Sequence, residues 1–126
     1  MTSPNEAANV PKDPTERMNV FFKSVASELK IWLLVDEHGS VLLSAEDEDC
    51  VPVWPSESHA QQWATGEWEG FKPEPISTAK WKSRWTNGLE EDELSVIVFP
   101  DENCEGIVLY PDEFEFELKK RETKRR

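Results

Sequence analysis

The apolar positions along this chain recur at two different spacings, and the switches between them mark the elements. Met18, Phe21, Phe22, Val25 and Leu29 fall at helical intervals, with Asp13 and Pro14 supplying a cap and a first-turn residue, so an amphipathic helix is predicted from Pro14 onward. "IWLLVDE" and "VLLSA" flank His38-Gly39-Ser40, where glycine supplies the positive φ of a tight turn, and together they read as a hairpin. The acidic run at residues 46–49 interrupts the pattern as a solvated loop. "CVPVWP" then reads as a short strand that Pro52 and Pro55 confine to a sheet edge. Ser56 caps a short helix, "ESHAQQWAT", which ends near Gly66.

Residues 67–75, "EWEGFKPEP", contain a glycine and two prolines and read as irregular. Trp81, Trp85 and Leu89 lie four apart on one face of a third helix, which Asn87-Gly88 is expected to close. "LSVIVFP" and "GIVLYP" are continuous apolar runs across the polar turn "DENCE", a second hairpin whose strands are both expected to be central. Pro111 and Asp112 open a last helix with Phe114 and Leu118 on one face. No alternating strand-helix series, internal repeat or glycine-rich phosphate loop appears. The prediction is a single α+β domain over residues 14–118: a mainly antiparallel or mixed sheet of about five strands with three to four helices packed against it. A flexible leader (1–13) precedes it, and a basic tail (119–126) follows.

Composition narrows the picture. A chain of 126 residues builds one core, and a mean hydropathy of −0.65 with 37% hydrophobic residues keeps it on the polar side of globular. Net charge is −12, yet the last eight residues, "KKRETKRR", hold six Lys/Arg and one acid, so the body carries about −17. Such a field keeps the protein soluble, repels nucleic acid and anionic lipid, and favours encounter with basic partners. The basic end suits a helix C-terminus or a solvated tail, while nucleic-acid contact through it would show as strong salt dependence. Neither an export signal nor a membrane-spanning run is visible, which points to a cytoplasmic protein. Cys50 and Cys104 accordingly read as thiols packed as small hydrophobes.

Candidate chemistry is sparse. His38 sits in the hairpin turn, and His59 follows Glu57 and Ser58 too closely for those neighbours to face it on a helix, so no Ser-His-Glu triad forms locally. Acids around Cys50 and Cys104 disfavour the thiolate a nucleophile needs. The run 46–49 lacks the ligand alternation of a calcium loop, and two Cys and two His scattered singly do not make a zinc site. The expectation is therefore a non-enzymatic protein without cofactor or metal. Six tryptophans are the least ordinary feature, and Trp68, which no periodic element claims, is the one expected to be partly exposed beside Phe71.

"VPVWPSESHAQQWA", a tryptophan-bearing helix, "VIVFP" and "GIVLYPDEFEFEL" together resemble the domain-of-unknown-function family 2750, a set of small bacterial proteins. The resemblance covers roughly residues 17–120 and is most specific over residues 51–63. It implies a single α+β domain of bacterial origin and carries over no catalytic residue. The chain is also similar in pattern to the N-terminal domain of the serine-sensitivity-enhancing protein family, a likeness that favours an interaction module, although fold does not transmit function. Two functional readings follow. The first is an immunity-like interaction protein whose acidic body meets a basic protein partner, with Trp68 and Phe71 as anchors and the acids of residues 46–49 at the rim. The second is a small-ligand binding or hydrolytic domain with a pocket lined by Trp54, Trp63 and Trp81 and with Glu57 or His59 as its polar group.

Overall fold

The computed structural model describes residues 10–45 and 47–124. Helix α1 (Pro14–Glu28) starts on Pro14, whose missing N–H costs nothing in the first turn; Asp13 occupies the cap position with extended backbone but makes no side-chain cap bond. Leu29 ends the helix in the left-handed region (φ 59°). Strand β1 (Lys30–Asp36) then turns through Glu37 and His38 into β2 (Gly39–Ser40), with Asp36 opposite Gly39 and Gly39 at φ 127°. The Asp36 carboxylate accepts from the His38 N–H and fixes this turn.

The run "VLLSA" does not stay in the hairpin. After Val41 the chain leaves β1, and β3 (Leu43–Ala45) pairs antiparallel with β4 (Glu48–Val53) in a second sheet. Strand β4 is not an edge strand as its prolines suggested: it lies between β3 and β6 (Ser95–Val98), parallel to the latter. Proline is tolerated because β3 reaches only as far as Cys50, so Pro52 lies past the last pairing on that side. The orders are β2-β1-β5 and β3-β4-β6-β7, where β5 is Lys72–Ser77 and β7 is Ile107–Leu109. One antiparallel bridge joins the two sheets: Trp32 and Trp54 exchange backbone hydrogen bonds of 2.9 and 3.1 Å.

Two further expectations are corrected. The "irregular" prolines belong to β5, which pairs with β1 from Lys72↔Val35 to Ser77↔Lys30. Strand β7, read as central, is an edge with half-buried residues. The second hairpin itself forms, with Val96 opposite Leu109. Gly106 is required where it enters β7, because a Cβ there would stand 2.9 Å from the Val98 carbonyl oxygen.

Four helices cover the sheets, an α+β arrangement. Ser56 caps α2 (Glu57–Trp63) by accepting from the His59 N–H. Helix α3 runs over residues 78–91 as an α-helical start Thr78–Lys80, a π-helical turn Trp81–Trp85 and an α-helical end Thr86–Glu91. It passes straight through Asn87-Gly88, which was expected to stop it, because Leu89 is buried beyond that pair. Helix α4 (Pro111–Lys124) continues into the segment read as a basic tail. Lys119, Lys120 and Arg121 each reach a glutamate three or four residues back, which supports the extra turn. Phe21 and Phe22 of α1, Phe114 of α4 and Trp81 of α3 form one aromatic cluster with ring centroids 5.0–5.8 Å apart, and this closes the helical layer on the core. No helix among the described residues is long and apolar enough to cross a membrane.

Candidate functional site

A concavity of about 830 Å³ opens where the end of β4, helix α2 and the loop between β6 and β7 meet. Trp54 forms its inner wall, fully buried at the seam between the sheets. From there a file of rings leads outward. Trp54 and Trp63 are 5.1 Å apart, half-buried Trp63 and Trp68 stack at 5.9 Å with planes 27° apart, and Phe71 meets Trp68 edge-on at 5.8 Å. Trp68 is held in a 3₁₀ turn (Gly66–Trp68) that begins on a glycine in the left-handed region, φ 59°.

The opposite wall is the loop after β6, and it folds around Asp101. The Asp101 carboxylate accepts from the Asn103 and Glu105 N–H groups, and the Asp101 carbonyl accepts from the Trp63 indole N–H at 2.7 Å, tying the loop to α2. Phe99 enters this loop at φ 49°, a conformation that costs a bulky residue on the order of 1–3 kcal/mol. Both of its backbone polar groups are held: its N–H donates to the Val53 carbonyl at 2.8 Å, and its carbonyl accepts from Arg17 Nε at 2.9 Å. His59 packs its ring edge-on against Phe99 at 5.1 Å.

Arg17 is the element that binds the cleft together. Only 1% exposed, it donates to the carbonyls of Phe99, Glu105, Pro11 and Lys12 at 2.8–3.1 Å. Residues 10–13, read from composition as the end of a loose leader, are thereby tied down, and Val10, Pro11 and Lys12 line the cleft. The remainder of that leader lies outside the described residues. Acids line the mouth: Glu67 and Glu102 are exposed and Asp101 is half-buried. Cys104, a free thiol in the same wall, has its pKa pushed above the ordinary value by burial and further by the charges of Asp101 and Glu67.

The sequence-predicted residues separate cleanly. The structure brings Trp54, Trp63, Trp68 and His59 into one cleft. Phe71 stands behind Trp68 rather than in the lining, and Glu57 is exposed on the first turn of α2. Trp81 is buried in the helical aromatic cluster against Phe114 and does not line the cleft. Of the acids of residues 46–49, Asp47, Glu48 and Asp49 do not line it, Glu48 accepting from Ser95 and bordering a separate depression, while Glu46 lies outside the described residues. Arg17, Phe99 and Asp101 were not found from the sequence; Pro100-Asp101 after an apolar run was the only cue, and it signals a turn rather than a site.

Chemically, the closest approach between a hydroxyl and a base here is Ser56 Oγ to His59 Nδ1, 2.6 Å. That contact is explained by helix capping, since the same oxygen accepts from the His59 N–H at 3.1 Å. No group of three or more His, Cys, Asp or Glu among the described residues is placed to hold a metal ion. What the arrangement offers is apolar ring surface bordered by carboxylates. A family model described as "Protein of unknown function (DUF2750)" matches residues 18–118, and no curated protein matches the chain.

Proposed function

The chain belongs to the DUF2750 family, and from that premise we propose that it is a non-enzymatic binding protein whose tryptophan cleft receives a segment of a basic protein partner. The observation that carries this reading is the stacked Trp63–Trp68 pair inside a cleft whose opposite wall is rigidified by Arg17 and Asp101. Large rings held in place at a cleft give up little entropy on binding and make effective anchors. Net charge of −12 and the three acids at the mouth supply attraction for a basic partner over distances of a Debye length. A hydrolytic reading has less support, because the Ser56 hydroxyl already serves the start of α2.

The test is a titration of the full chain, labelled with ¹⁵N at its indoles, with two pools of short end-blocked peptides. One pool is restricted to Lys, Arg, Gly, Ser and Leu; in the other, Asp and Glu replace the bases. The basic pool is expected to shift the Trp63 and Trp68 indole signals saturably, and less so as salt is raised, while Trp81 and Trp85 stay still. Equal shifts from both pools, or shifts confined to Trp81 and Trp85, would overturn the proposal.

A further inference from the structure

Resting on that reading, we infer that the cleft takes one lysine or arginine side chain of the partner, its cationic head against the Trp63–Trp68 pair and facing Glu67, Asp101 and Glu102. Three observations converge on a cation. Indole faces attract positive charge through the ring quadrupole, and these two rings are half-buried in the lining rather than sealed in the core. Three carboxylates border them. The thiol of Cys104, in the same wall, is held neutral by burial first and then by the charges of Asp101 and Glu67, so those two acids act on the interior of the cleft.

The arginine and the lysine in the lining do not reverse this. Arg17 is not a vacant anion site, because its guanidinium is engaged by four backbone carbonyls whose dipoles already face its charge. Lys12 is exposed at the rim and free to lie away from an incoming cation. A side chain suits the space better than a small ion. The aliphatic stem of lysine or arginine covers apolar ring surface while its head reaches the carboxylates, the same division found between Trp54 at the inner wall and Glu67 and Glu102 at the mouth.

The experiment titrates the ¹⁵N-indole-labelled full chain with the end-blocked amides of arginine, lysine, norleucine and glutamate, separately. Arginine and lysine amides are expected to shift Trp63 and Trp68, with norleucine about tenfold weaker for want of the charge. The double variant Glu67→Gln/Glu102→Gln, altered only at exposed positions, is expected to weaken the arginine amide about fivefold at an unchanged melting temperature. Norleucine binding as well as arginine, or glutamate binding better, would overturn the cationic head and leave the binding cleft standing. Silence from every amide while the basic peptide pool still moves the two indoles would also overturn this inference alone. Silence from the amides and the pool together would remove both.

Discussion

At the scale of single residues, Arg17 illustrates how a charge can be a structural tie rather than a surface feature. Its carbonyl acceptors lie on two stretches of chain far apart in sequence: the residues before α1 and the two ends of the loop between β6 and β7. Replacing Arg17 with methionine keeps the stem and removes every donor, and is expected to cost about 2–3 kcal/mol. Urea unfolding at constant m would read this as a lowered midpoint; a loss below about 0.5 kcal/mol would show that water replaces the guanidinium without penalty. Arg17→Lys is expected to recover less than half, since one ammonium cannot span the same forked set of acceptors. Cys104 gives a second prediction. Because burial first and then Asp101 and Glu67 raise its pKa, less thiolate is expected at pH 8 than in an unstructured peptide, and alkylation is expected to be slower. Glu67→Gln removes one negative charge, lowers that pKa and speeds alkylation at Cys104, followed by mass spectrometry at fixed pH. An unchanged rate would mean that burial and Asp101 protect the thiol without help from Glu67. The direction of the Cys104 shift is legible in the sequence, from the acids beside it, but the role of Arg17 is not. Arg17 sits among polar residues at a helix start and its distant partners are backbone atoms 82 and 88 positions away, which no side-chain pattern encodes.

At the scale of elements, amphipathic α1, the Ser56-capped α2 and the second hairpin follow from apolar spacing and turn chemistry, and the structure contains all three. Three of the misread elements, β4, β5 and α3, share one cause: proline or glycine reads as a break or a limit where the fold keeps the element going. In β5 the Thr78 N–H, just past the strand, donates to the Leu29 carbonyl, so the even-numbered positions face β1 while Pro73 and Pro75 present their nitrogens to the open edge. The absence of N–H groups there costs the fold nothing and denies a template to another strand. Pro73→Thr/Pro75→Thr should therefore fold with an unaltered far-UV spectrum yet self-associate with rising concentration, as sedimentation velocity would show. A variant that stays monomeric at all concentrations would mean that other features protect the edge. In α3, Asn87-Gly88 was read as a stop, but the π-turn stacks Trp81 on Trp85 at 5.2 Å with planes 11° apart, and burial of Leu89 carries the helix past the pair. Tertiary packing overrides local propensity at that point.

At the scale of the whole molecule, the α+β class was legible because strand-like and helix-like runs alternate irregularly, but the division into two sheets was not. It depends on "VLLSA" splitting after Val41 and on β4 pairing parallel with a strand more than forty residues later, neither of which any local pattern dictates. The same division explains where the cleft lies. Trp54 ends the β4 run and forms the only bridge described between the sheets, so the inner wall of the cleft is also the seam of the molecule. The aromatic cluster of α1, α3 and α4 and the buried residues of both sheets belong to one continuous core. A seam inside one core should not open on its own. Thermal unfolding is therefore expected to be a single transition, with tryptophan fluorescence, which reports the seam and the helical cluster, superimposing on far-UV circular dichroism, which reports the backbone. Occupation of the cleft should then raise that one midpoint, because a ligand that holds the seam binds only the folded state. If fluorescence instead changes at lower temperature than the backbone signal, the cleft is a separately melting unit, and a bound partner would shift the early phase while leaving the later one in place.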